Sequence, residues 1–283
     1  MVSFWHLGPD HLHMRSPARI LLLLTLATIL VGAMAPVASA AVALPSADQV
    51  SKAEKDALTL TNKKRTDRGF VALRWDARLG ALARERAQYM ASTGTFSHSQ
   101  DGKSVFDMMT KAGITWYGAG EIIAWNTAVE LPSSTAMAVQ GWMDSAPHKA
   151  ILLSKDYNYV GFGLAVSPTT GKRYWAGVYM KGPDRTAAWV KLASVTKQVI
   201  SPTSMKVTIN WSGGDSRLQV LTSGLKYFQM QKRRVGGEWY TYDPQTSTTL
   251  SRGWARGSTW EFRIRARDKV GNWGPWIITT VTT

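Results

Sequence analysis

Cysteine is absent from all 283 residues. That excludes disulfides, a thiolate nucleophile and any cysteine-based zinc site, so the fold must be held by packing alone. Histidine is nearly as scarce, with five in the chain. His6, His11 and His13 precede a segment that reads as removed, which leaves His98 and His148 as the imidazoles of the mature protein. Acidic residues are few as well, 19 against 34 Lys and Arg, for a formal net charge of +15. Long apolar runs are absent but for "ILLLLTLATILVGAMA", which follows Arg15 and Arg19 and precedes Ala38-Ser39-Ala40. A basic stretch, a short apolar run and an A-x-A site together predict a signal peptide over residues 1–40, with Met14 an alternative start. An uncleaved anchor is the other reading, although the run is short for a spanning helix. No other segment is apolar enough to cross a membrane.

The basic excess is uneven. Residues 41–183 carry 17 basic against 12 acidic side chains, and residues 184–283 carry 15 against 6. An exported chain of this charge is drawn to anionic envelope polymers or surfaces. No nucleic-acid motif accompanies the charge, so nucleic acid is not the expected partner.

Along the mature chain, Val50, Ala53, Ala57 and Leu60 lie at helical spacing before Gly69. Asp76 is placed to cap a second helix with an apolar stripe of Leu79, Leu82, Ala83, Ala87 and Met90, ended by Gly94. Ser104 and Asp107 have capping-box spacing before a short helix, and two more helical stretches follow over 134–145 and after Pro147. "YNYVGFGLAV" and "RYWAGVYM" then form a hairpin, whose glycines predict close packing on one face. "KGPDRT" marks a boundary at 183/184, beyond which the chain reads as all-β. In "STWEFRIRARD", Trp260, Phe262, Ile264 and Ala266 alternate with Glu261, Arg263, Arg265 and Arg267. That is an apolar inner face and a basic outer one. The outer face, with Trp239, Trp254, Trp273 and Trp276 nearby in sequence, either stacks cations on indoles or is simply solvated. Short strands at this spacing in about 100 residues suggest an immunoglobulin-like sandwich.

Two histidines and Glu121, behind Gly118-Ala119-Gly120 and ahead of Ile122-Ile123, are the candidate constellation. They can form a hydrogen-bonded trio, or offer three ligands to a metal with an open position. Spacing does not choose between these. Ser97, Ser99 and Ser145 lie near the histidines, but no G-x-S-x-G elbow supports a serine nucleophile.

The blocks "LTNKKRTDRGFVALRWDARLGALARERAQYMASTGTFSH", "DGKSVFDMMTKAGI", "GAGEIIAW", "GWMDSAPHKAIL", "YVGFGLA" and "GKRYWAGVYM", in this order, resemble a bacterial CAP domain. CAP is the superfamily of cysteine-rich secretory, antigen 5 and pathogenesis-related proteins, also called SCP-like extracellular proteins. The resemblance implies α+β architecture, an α-β-α sandwich over 41–183, with a groove where His98, Glu121 and His148 meet. It also implies a divalent cation, zinc or calcium, on those residues in the members that bind one. Asp144 or Ser145 stands where many members have a second glutamate, Ile122 replaces an asparagine, and another asparagine is missing after Lys149. Trp142 joins Asp144 and Ser145 as an expected groove neighbour. Residues 184–283 resemble a fibronectin type III-like module, with Trp260 where a tyrosine is usual. Three functions follow as expectations: binding of a small or lipid-like ligand or an envelope component, with the basic sandwich as tether; metal-dependent hydrolysis of peptide or envelope polymer; or interaction through a purely structural trio.

Overall fold

The computed structural model describes residues 42–283. The signal-peptide reading of 1–40 therefore lies outside the described residues. Helix α1 (Ala47–Thr66) starts at Ser46, whose hydroxyl and the Gln49 side chain form a reciprocal capping box. Strand β1 (Arg74–Trp75) leads into α2 (Ala77–Thr93). The Asp76 carboxylate accepts from the Arg78 and Leu79 amides at the start of α2, and Gly94 closes it with a left-handed φ of 74°. The Ser104–Asp107 capping box opens α3 (Val105–Lys111). Next come β2 (Gly118–Asn126), α4 (Leu131–Asp144) and α5 (Ala146–Leu152). Pro132 sits in the first turn of α4, where its missing N–H is harmless, so the helix begins three residues before the expected start. Strands β3 (Tyr159–Val166) and β4 (Arg173–Lys181) form the expected hairpin.

These strands make one sheet, ordered β1-β3-β4-β2, with β1 parallel to β3 and the remaining pairs antiparallel. Both faces are covered. Ile122, Phe162, Leu164, Trp175 and Tyr179 pack on α1 and α4, while Ile123, Ala176, Val178 and Met180 pack on α2 and α3. Period-2 alternation into two cores explains why these strands read as continuous apolar runs.

The helix α2 lies on β3 with no room for a side chain between them. A methyl group added to Gly161 would sit 2.1 Å from the Gly80 nitrogen, and one on Gly163 would sit 2.1 Å from the Ala83 carbonyl carbon. The hairpin glycines are the surface on which the helix backbone rests.

Seven further strands complete the chain. Strands β5 (Trp189–Ser201), β6 (Ser204–Gly214) and β9 (Thr249–Ala255) form one antiparallel sheet. Strands β7 (Leu225–Arg234), β8 (Tyr240–Thr241), β10 (Thr259–Asp268) and β11 (Ile277–Thr282) form the other, ordered β11-β10-β7-β8. Val207, Ile209 and Trp211 of the first meet Phe228, Met230, Phe262 and Ile264 of the second in a shared core. The fold is thus α+β, with helices and mixed sheet followed by two facing antiparallel sheets. The alternation along β10 is as expected, with Phe262, Ile264 and Ala266 buried. Trp254 is a correction: it is buried and packs edge-on to Phe262, on the face opposite the arginines.

The two parts interlock. Leu218, from the loop between β6 and β7, is buried in the α2 core. Its neighbour Gln219 accepts from the Val71 amide at 2.8 Å, and the Val220 carbonyl accepts from Asn158 Nδ2 at 3.2 Å. Arg185 pairs with Asp76, the α2 cap. Among the described residues, no helix is long and apolar enough to cross a membrane.

Gly163→Ala is expected to destabilise the chain by about 2 kcal/mol or more, because neither backbone can yield. Chemical unfolding should show this as a lower denaturant midpoint with an unchanged slope.

Candidate functional site

The site begins with an arginine on an apolar helix face. Arg86 lies one turn from Leu82, Ala83 and Met90 on α2, and its side chain is 0% exposed. A buried guanidinium has five N–H groups to satisfy. Nε donates to Glu121 Oε1 at 2.7 Å and Nη2 to Glu121 Oε2 at 3.1 Å. Nη2 also donates to the His98 carbonyl at 2.6 Å, and Nη1 donates to the Lys103 carbonyl at 3.3 Å. Glu121, on the edge strand β2, is 4% exposed in its side chain. Buried charges of this kind survive only as a fully hydrogen-bonded pair.

Arg86 therefore fixes both the carboxylate and the loop above it. The loop leaves Gly94 and closes on itself through the Gln100–Lys103 bridge, with Asp101 and Gly102 at φ values of 48° and 72°. Gln100 Nε2 donates back to the Arg86 carbonyl at 3.1 Å. His98 is thereby placed with Nδ1 2.7 Å from Glu121 Oε2. An ionised carboxylate only accepts, so Nδ1 carries the proton of this hydrogen bond and Nε2 is the ring nitrogen left outside it. The His98 side chain is 53% exposed. His148, half-buried in the first turns of α5, lies near enough for the charge of His98 to act on it. Burial, and then that charge, hold its imidazole below the ordinary value, so it is neutral at neutral pH.

The residues present do not fit a His–Glu–His metal cage. Both Glu121 oxygens are engaged by Arg86, and one also by His98. Two imidazoles alone fall short of the three protein ligands of an open zinc site, and calcium favours oxygen. Among the described residues, the grouping of three potential ligand side chains within 4.8 Å is Asp184, Asp215 and Asp268, in the C-terminal part.

The expected groove neighbours separate. Trp142 is buried in the core, stacked on Phe162 at 5.7 Å. Asp144 is exposed and accepts from Gln140 at 2.8 Å, and Ser145 joins α4 to α5. Arg86 is the residue that sequence reasoning missed. Its signal was present: a charged side chain on the buried stripe of α2 needs a buried partner of opposite charge.

Residues 58–179 match the CAP family, described as the cysteine-rich secretory protein family. A Bacillus subtilis protein named uncharacterized protein YkwD is 33% identical over 45% of this chain and 48% of its own length. A second from the same organism, named uncharacterized membrane protein YlbC, is 35% identical over 39% of this chain and 31% of its own. The chain thus spans less than half of either relative. An extracellular protein containing a SCP domain from Bacillus anthracis superposes with a TM-score of 0.42 at 21% identity, over 48% of this chain and 44% of its own.

The lowered His148 value makes stability depend on pH. Between that value and about 6.5 the unfolded chain binds more protons than the folded one, so stability rises with pH there. It is full above about pH 6.5 and falls as the solution is acidified toward the lowered value. Urea midpoints should drop from about pH 7 to about pH 5, and His148→Gln should remove part of that slope.

Proposed function

We propose that this chain, whose residues 58–179 are a CAP domain, is an exported binding protein whose site takes the polar end of a small or lipid-like ligand. The supporting observation is the His98 ring, pinned through Nδ1 to a buried carboxylate with Nε2 directed outward. Beside it stands the neutral imidazole of His148. The two imidazoles supply polar groups of the kind that orient a ligand. The basic C-terminal sheets, 15 basic against 6 acidic residues over 184–283, serve as a tether to an anionic envelope surface. Export follows from the reading of residues 1–40, and the reading requires no metal.

The hydrolase alternative draws on the same contact, because an imidazole oriented by a carboxylate has the form of a general base. One experiment separates the two. Mass spectrometry of organic extracts of the purified chain should identify a co-purifying ligand. The pair His98→Ala/His148→Ala should keep the fold, by circular dichroism and melting, and lose that ligand. Retention of the ligand by the double variant overturns the proposal. Turnover of wall peptides or glycans by the parent, abolished in the variant, assigns hydrolysis instead.

A further inference from the structure

The outer face of β10 is stacked rather than simply solvated. The Arg263 guanidinium lies 4.1 Å from the Trp239 ring centre and 4.7 Å from that of Trp276. Arg265 lies between Trp276 and Trp273, at 4.4 and 3.8 Å, and Arg267 lies 5.1 Å from Trp273. Cross-strand partners on β7 hold each one laterally. Gln231 Oε1 accepts from Arg263 Nε at 2.6 Å, Gln229 Oε1 from Arg265 Nε at 2.8 Å, and the Tyr227 hydroxyl from Arg267 Nη1 at 3.2 Å.

This arrangement fixes three planar cations in a row without neutralising them. Among the described residues none of the three is in an ion pair, and the neighbouring Glu261 is held by Arg233. Cation–π stacking stabilises the flat faces of the guanidiniums and leaves N–H groups at their edges for an anion. Alternate residues of an antiparallel strand recur at about 7 Å, so the row presents forks at that period.

We infer that this row is a binding site for a linear phosphodiester polymer of the polyol-phosphate type, each guanidinium edge taking a phosphate. The inference rests on the tether reading given above and names its ligand. Forked donors match phosphate geometry, and a glycerol-phosphate repeat spans a comparable length when extended. Nucleic acid shares the phosphodiester but fits less well. Single-strand binders offer free aromatic faces to bases, whereas Trp273 and Trp276 each have guanidiniums stacked against them.

The test titrates the full chain with poly(glycerol phosphate), poly-glutamate and oligo-dT, following tryptophan emission and calorimetric affinity. Poly(glycerol phosphate) should bind tightest and perturb the emission. Its log affinity should fall with log salt at a slope of about −2, from three phosphate contacts on a single strand. The variant Arg263→Lys/Arg265→Lys/Arg267→Lys keeps the net charge and loses the forks. It should bind on the order of tenfold more weakly. The control Lys191→Gln/Lys197→Gln/Lys206→Gln, on the other sheet, should bind like the parent after its smaller charge is allowed for. Equal affinity of the lysine variant, equal binding of poly-glutamate, or tighter binding of oligo-dT overturns the inference. Saturation with polymer and no change in parental emission does so as well, without relying on any variant to fold. Retention of the chain on whole wall fractions despite such a result leaves the tether reading standing, so the two failures are distinct.

Discussion

The buried ion pair between Arg86 and Glu121 is the constraint around which the site is arranged. Removing two charges from water costs several kcal/mol each, and only near-complete hydrogen bonding offsets it. Here the guanidinium joins three separate pieces of chain: its own helix α2, the edge strand β2 and the carbonyls of the 98–103 loop. Loss of either partner would leave the other charge buried and alone, at a cost of about 3–5 kcal/mol. The pair also defines what Glu121 is free to do. A carboxylate held by a guanidinium and an imidazole orients His98 and has little left for a metal.

The helix that carries Arg86 also carries the joint between the two parts of the chain. Its first turn is capped by Asp76, which Arg185 reaches from beyond β4. Three turns later the same helix presents Arg86 to the site. Its axis cannot drift, because Gly161 and Gly163 bring β3 into backbone contact with it. The site is thereby tied to the sheet on one side and to the C-terminal strands on the other. A guanidinium ladder on β10 extends the same economy of charge, with arginines fixed by ring faces and amides where acidic partners are scarce.

Much of this was legible in the sequence wherever the determinant is local. Asp76 and Gly94 bounded α2, Ser104 and Asp107 opened α3, and the alternation of β10 placed its arginines outward. The glycines of the hairpin announced a close neighbour, which proved to be α2. Long-range partnerships were hidden. Nothing near Arg86 in sequence points to a glutamate 35 positions away, and nothing in "RLQV" marks Leu218 as part of another core. Trp142 looked like a groove wall because it neighbours Asp144 and His148 in sequence, yet helical periodicity turns it inward onto Phe162. The histidines were identifiable by their scarcity, whereas the group that positions His98 was masked by the apolar stripe around it.

The central claim is that Glu121, locked by Arg86, holds His98 with its proton on Nδ1 and its Nε2 open to a ligand. Nitrogen-15 NMR of the imidazoles reads this directly, since the two ring nitrogens of a neutral histidine have distinct shifts according to which bears the proton. For the neutral ring of His98 the account predicts an Nδ1–H tautomer, with Nε2 shifting when ligand is added. An Nε2–H tautomer, or a ring that averages freely between the two, would contradict it.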